Sequence, residues 1–126
     1  MLDNEITYKI IGATYKVYKT LGPGLLESIY EEALCIQLHI DGLKVERQMP
    51  VPIIYEGVRL NEDLRLDLLV EDRIIVEIKS VREIKEIHYK QLLTYLKLKN
   101  LHLGLLINFN TIDIKSSIRR VINGFE

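Results

Sequence analysis

A chain of 126 residues, 48% of them apolar, can bury one sizeable core without disulfide or metal staples. Its 17 basic and 18 acidic residues leave a formal charge of −1, which excludes the global basic field that dominates non-specific nucleic-acid binding. A polyanion would need a local basic patch, metal ions or a partner. The lone cysteine, Cys35, lies in an apolar helical pattern and reads as a small buried hydrophobe, which argues against thiol catalysis.

The first residues, MLDNEITYKI, lack a basic segment followed by an apolar one, and no apolar run approaches the ~20 residues of a membrane helix. A single soluble domain spanning 1–126, cytoplasmic and off the membrane, is the expectation. Ile6, Ile10, Ala13, Tyr15, Val17 and Tyr18 recur near the helical period between Asn4 and Thr20, and Leu21-Gly22-Pro23-Gly24 stops that helix. A second helical pattern starts at Leu25 and carries Leu26, Ile29, Tyr30, Ala33, Leu34, Ile36 and Leu38 to a C-cap signal at Asp41-Gly42. Glu27, Glu31 and Glu32 suit the positive end of its dipole.

Beyond Gly42 the texture turns β-branched, and Val45 to Leu60 reads as a strand and hairpin turning at Tyr55-Glu56-Gly57. Pro50 and Pro52 place it at a sheet edge. Leu64–Val70 and Arg73–Ser80 are two central strands, Ile84–Lys99 is a helix, and His102–Phe109 is a very apolar strand. Strand, helix, strand is a crossover covering one sheet face. Ile112 to Phe125 is expected to form one short final helix.

Three charges stand inside the apolar strands: Asp67 among Leu66, Leu68 and Leu69, and Glu77 and Lys79 around Val76 and Ile78. Burying such groups is costly unless they are paired or bound to metal. Alternation puts Glu77 and Lys79 on one face. Whether Asp67 joins them depends on the turn, since one step of register moves every side chain across the sheet. A two-residue loop pairs Val70 with Arg73 and sends Asp67 to the wrong face, whereas a three-residue loop, Glu71 to Arg73, pairs Val70 with Ile74 and sets Asp67 opposite Glu77. The second register is predicted, because it alone gathers the carboxylates. Two such carboxylates suit a hard divalent cation, Mg²⁺ or Mn²⁺, and Lys79 at the edge could neutralise charge developing on an attacked phosphate.

Asp67 followed ten residues later by Glu77-Ile78-Lys79 resembles the D…(D/E)-x-K signature of the PD-(D/E)XK nuclease superfamily. Gly24-Leu25-Leu26-Glu27-Ser28-Ile29-Tyr30 is similar to the motif of the GxxExxY family, and the order of segments resembles that family along nearly the whole chain. Gln91-Leu92-Leu93-Thr94-Tyr95 resembles the Q-x-x-x-Y element of RecB-like nucleases, with His88 on the same helical stripe. The proline of "PD" is absent, Leu66 standing in its place.

The resemblance implies an α/β fold in α-β-β-β-α-β order, with an extra N-terminal helix and a mixed sheet of four to five strands. It implies a nuclease acting on DNA or RNA with Mg²⁺ or Mn²⁺, held by Glu27, Asp67, Glu77 and the backbone carbonyl of Ile78. Lys79 and Gln91 would serve catalysis, with Tyr30, His88 and Tyr95 in support. The alternative is a non-catalytic nucleic-acid- or protein-binding module on the same fold, and a homodimer through the edge hairpin is a further expectation. In a nuclease Lys44, Arg47, Arg59, Arg65, Arg82, Lys85 and Lys90 should gather round the acidic site; in a protein-binding module they should scatter, with an apolar patch exposed elsewhere.

Overall fold

The computed structural model describes residues 1–124. Helix α1 (Asp3–Leu21) stops at Gly22, whose φ of +68° is one that side-chain-bearing residues resist. Its N–H donates to the Tyr18 carbonyl at 2.8 Å. Helix α2 (Glu27–Ile40) begins two residues later than its apolar pattern, because Gly22–Leu26 forms a loop. The Tyr30 hydroxyl shapes that loop, donating to the Gly22 carbonyl at 2.5 Å and accepting from the Leu25 N–H at 3.0 Å.

Strands β1 (Val45–Val51), β4 (Leu64–Val70), β5 (Ile74–Lys79), β6 (Leu103–Asn108) and β7 (Ile118–Ile122) form one mixed sheet in the order β1-β4-β5-β6-β7. Only β5 and β6 run parallel, joined through helix α3 (Glu86–Lys99). The edge position of β1 accommodates Pro50. Strands β2 (Ile54–Tyr55) and β3 (Val58–Arg59) are a separate two-stranded hairpin, not an extension of the main sheet. Its turn residues Glu56 and Gly57 both have positive φ, the geometry that matches strand twist in a two-residue turn.

The chain from Ile112 onward corrects the expected final helix. A 3₁₀ turn at Lys115–Ser117 leads into β7, which pairs antiparallel with β6. Ile118, Val121 and Ile122 are poor helix formers at χ1, and pairing covers what would otherwise be the bare edge of β6. Phe125, the end of the expected helix, lies outside the described residues.

Two apolar layers enclose the sheet. Ile6, Ile10, Ala13 and Val17 of α1 and Tyr30, Leu34 and Leu38 of α2 pack on Leu68, Val70, Ile74, Val76 and Ile78. Half-buried Cys35 packs at the margin of this layer, and burial pushes its thiol pKa up, as suits an inert side chain. Leu92, Tyr95 and Leu96 of α3 pack on Leu66, Ile75, Leu106 and Val121. Among the described residues no helix is long and apolar enough to cross a membrane.

One irregularity positions the site. Leu68 and Val70 face α2, whereas Leu66, of the same parity, faces α3. In β1, Val45 and Val51 differ in the same way. Both strands therefore reverse their facing at one level, where the register steps from Arg47↔Leu68 to Met49↔Leu66 and omits Gln48 and Asp67. Gln48 has a φ of +55°, a strained conformation for a residue with a Cβ.

Candidate metal-binding active site

The β4–β5 turn is the three-residue loop Glu71 to Arg73, and Val70 pairs with Ile74. Glu71 and Asp72 both adopt left-handed φ, and Lys44 ties the loop down: its N–H donates to Glu71 Oε2, and its carbonyl accepts from the Glu71 N–H. This register carries Asp67 to the level of Glu77, but the backbone ladder ends one step earlier at Leu68↔Val76. The carboxylates complete it crosswise. The Asp67 N–H donates to Glu77 Oε2 at 2.9 Å, and the Ile78 N–H donates to Asp67 Oδ2 at 2.8 Å. Each side chain is thereby fixed through one oxygen and keeps the other for a further partner.

Burial sets the electrostatics. Desolvation, followed by the charge of Asp67, pushes the Glu77 carboxyl up to about 8. Desolvation first, and then the nearby carboxylates Glu31 and Glu27, push Asp67 up to about 7, against the backbone bond from Ile78. With no cation between them, the pair resists carrying both charges at neutral pH.

The sequence reading passed over Glu31. It is 5% exposed, and its carboxylate lies within hydrogen-bonding reach of that of Asp67. Arg47 Nε donates to its Oε2 at 2.7 Å and Gln48 Nε2 donates to its Oε1 at 2.8 Å. The strained backbone of Gln48 thus delivers a side chain that holds an acid beside Asp67. Glu27, one turn earlier, is half-buried and near enough for its charge to raise Asp67.

Around this centre Lys79 is half-buried, and its charge acts on Glu77 to lower its pKa. Tyr95 is 8% exposed; its phenol is pushed up by burial and then by the nearby charges of Glu77 and Asp67. Gln91 is exposed and makes no hydrogen bond among the described residues to Lys79 or the carboxylates. His88 Nδ1 accepts the Lys85 N–H at 2.9 Å, so it caps α3. Tyr30 is fully buried, stacked on Phe109 at 4.5 Å between ring centroids. Ser80 Oγ donates to the Leu25 carbonyl at 2.7 Å and docks the loop before α2 against the end of β5.

The cations divide. Arg47 reaches the site, Arg65 donates to the Gln48 carbonyl behind it, and Arg82 and Lys85 line a cavity just beyond the end of β5. Lys44 pairs with Asp72, Arg59 with Asp63 and Lys90 with Glu86. The gathering expected of a nuclease is therefore realised on only part of the rim.

The sequence matches the profile of the PD-(D/E)XK nuclease superfamily over residues 4–121. The chain belongs to that superfamily. The crystal structure of SSO0001 resembles it with a TM-score of 0.62 at 21% identity, over 79% of this chain and 52% of that one. The chain thus spans about half the length of that protein, and likeness at this identity speaks for the fold alone. No match is found among curated proteins.

A superfamily of this kind implies a divalent metal, and the donors here fit one. They are oxygens only, and the backbone bonds at Asp67 and Glu77 each occupy one carboxylate oxygen and leave the other for a cation. The Ile78 carbonyl points to the same side as its N–H, as in any extended strand, toward the split. Among the described residues no three His, Cys, Asp or Glu side chains converge into a closed cage. Mg²⁺ needs none, because it keeps several waters and takes one or two carboxylates together with substrate phosphate.

Proposed function

We propose that this chain is a Mg²⁺- or Mn²⁺-dependent nuclease that hydrolyses phosphodiester bonds of DNA or RNA. The observation that carries the reading is the crosswise carboxylate pair at the strand split, buried, under mutual repulsion and open through one oxygen on each side chain. Asp67, Glu77 and the Ile78 carbonyl would hold the ion, with Glu27 completing its shell. When bound, such an ion polarises the phosphoryl oxygen and lowers the pKa of a coordinated water.

The protein's own groups have separable tasks in this reading. Lys79, on the same sheet face as Glu77, neutralises charge developing on the attacked phosphate and orients the attacking water. Glu31, held by Arg47 and Gln48, stands as a fixed acid beside Asp67 and sets the position of its carboxylate. Tyr95 closes the α3 side and keeps bulk water from the pair. Gln91, one turn before Tyr95, is exposed and would contact the water or the Lys79 amine once substrate is in place.

Calorimetric titration of Mn²⁺ into the wild type, Asp67→Ala and Glu77→Ala, with cleavage of mixed single- and double-stranded DNA and RNA on the same samples, tests the reading. Binding and cleavage should disappear together in both variants. A folded, metal-loaded wild type that cleaves no nucleic acid overturns it.

One observation favours a second reading, a docking module on the same fold: Ile54, Tyr55 and Val58 of the β2–β3 hairpin are 62%, 67% and 64% exposed. Such side chains suit a protein partner or a second copy of the chain. Metal binding without cleavage, together with concentration-dependent self-association lost in Tyr55→Ser, would favour that reading.

A further inference from the structure

A polar cleft of about 250 Å³ opens where the β5–α3 connection faces the segment between β6 and β7. Its position follows from the register. Lys79 is the partner of Asn108 on β6, and cross-strand partners project to the same face, so Asn108 stands beside Lys79 on the side of the sheet that bears Glu77. Arg119 pairs with Leu106, itself the partner of Glu77, and so projects to that face as well.

The walls are fixed before any ligand arrives. Asn108 is buried; its amide donates to the Val81 carbonyl at 3.0 Å, and its oxygen accepts from the N–H groups of Val81 and Asn110 at 3.1 and 3.2 Å. Thr111, Ser116 and Ser117 turn their hydroxyls onto the Asp113 carbonyl and lock the opposite wall. Arg82 and Arg119 are among the lining residues, and neither forms an ion pair among the described residues. Glu83 is the one acid in the lining, so the cleft carries a net positive charge, and Lys85 adds to it in the adjoining cavity of about 480 Å³ that shares Arg82 and Glu83.

Arginines without an ion-pair partner in a polar cleft are suited to phosphate, because the planar guanidinium fork matches phosphate oxygens. We propose that this cleft is a phosphate-binding subsite, gripping the nucleic-acid strand through Arg82 and Arg119 at a phosphate next to the one over Asp67 and Glu77. The assignment rests on the nuclease reading for the identity of the strand. It also explains how a chain of formal charge −1 could hold a polyanion: by a local pair of cations rather than a global field.

The test is fluorescence anisotropy of a labelled single-stranded oligonucleotide with the full chain in EDTA, where no cleavage occurs. Wild type, Arg82→Ala, Arg119→Ala, the double variant and Lys9→Ala, a distant exposed control, are compared. Both arginines are exposed, so thermal melting should be unchanged. Each single variant is expected to bind about 3- to 10-fold more weakly, and the slope of log K against log salt should flatten by about 0.7 for each single-strand phosphate that is no longer neutralised. Oligonucleotides with and without a terminal phosphate separate the two sources of the anion: equal losses indicate a backbone phosphate, and a loss confined to phosphorylated ends indicates a terminal one. The subsite is overturned if the double variant binds like Lys9→Ala, or if the wild type binds no oligonucleotide. A parallel Mn²⁺ cleavage assay keeps the two conclusions apart. Cleavage by a wild type whose arginine variants bind normally removes the subsite and leaves the nuclease, and arginine-dependent binding without cleavage does the reverse.

Discussion

Asp67 and Glu77 hold each other's strands: one lends its backbone N–H to the other's carboxylate, and receives through its own carboxylate the N–H of the following residue, Ile78. The arrangement closes a gap in the sheet with acids where backbone would ordinarily serve. It is stable as geometry but strained as electrostatics, since burial and proximity raise both groups.

A pH dependence of folding follows. Both carboxyls bind protons more tightly in the folded chain, near pH 7 and 8, than in the unfolded one, near 3.8 and 4.5. Between these limits the folded state holds more protons, so stability falls as pH rises from about 4 through 8, by an amount on the order of several kcal/mol. Metal-free protein should melt at higher temperature at pH 5 than at pH 8.5. Mn²⁺ should restore the loss at pH 8.5 and do little at pH 5, where protons compete for the same oxygens. Melting curves with EDTA and with Mn²⁺ check both signs, and a metal-free Tm that rises with pH contradicts the account.

Asp67→Asn and Glu77→Gln should separate stability from function. Each removes one repelling charge while preserving most of the shape, so the metal-free variant should lose less stability than wild type between pH 5 and 8.5. Cleavage should fall by at least about 10²-fold in each. Single-turnover assays beside the melting curves read the two effects independently.

Glu31→Ala should be costly at a distance from any substrate. It strands the Arg47 and Gln48 donors and frees the carboxyl of Asp67. Arg47 is 38% exposed at its side chain and can recover water, so the loss is set at about 1–3 kcal/mol in urea unfolding, below that of a sealed ion pair. Metal affinity should drop about 10- to 100-fold, the usual effect of removing a group that orients a ligand.

Tyr30→Phe tests the loop before α2. The stack on Phe109 survives, and the bonds to Gly22 and Leu25 do not, so about 1–2 kcal/mol of stability should go. Tyr30→Ala forfeits the ring as well and should cost about 3–5 kcal/mol. Near-equal losses in the two variants would show that the hydroxyl carries the whole effect.

The strands of the site were legible because alternation is a local signal that sorts Glu77 and Lys79 from Val76 and Ile78; the register was not local, and it followed only from requiring that Asp67 meet Glu77, which the Val70↔Ile74 pairing bears out. Strand β7 was not legible, because Ile118-Arg119-Arg120-Val121-Ile122 gains its identity from a partner, β6, that lies outside its own sequence window. Glu31 escaped because an acid early in a helix already has a sufficient explanation in the dipole. Its signal was present, four residues after Glu27 and on the buried stripe of Tyr30, Leu34 and Leu38. Nothing in the residue type of Gln48 announces a φ of +55°; that strain is imposed where two strands reverse their facing together.

Gly104 offers a test of how closely α3 is seated, and so of how firmly Tyr95 is held near the carboxylates. A Cβ built at this residue of β6 would lie 2.9 Å from Leu92 Cδ1 and 3.1 Å from Leu92 Cγ, closer than carbon atoms tolerate. Gly104→Ala must therefore push Leu92, and with it the helix three residues before Tyr95, or force a strained rotamer. The expected cost is about 1–3 kcal/mol, the range for over-packing a filled core. If the clash is the cause, Leu92→Val should recover part of the loss in the Gly104→Ala background while destabilising the wild type by itself, giving a coupling energy of opposite sign to the single effects. Cleavage should fall in Gly104→Ala and return with the second substitution. Additive losses in the cycle would place the cost of Gly104→Ala elsewhere than in the packing of α3 on β6.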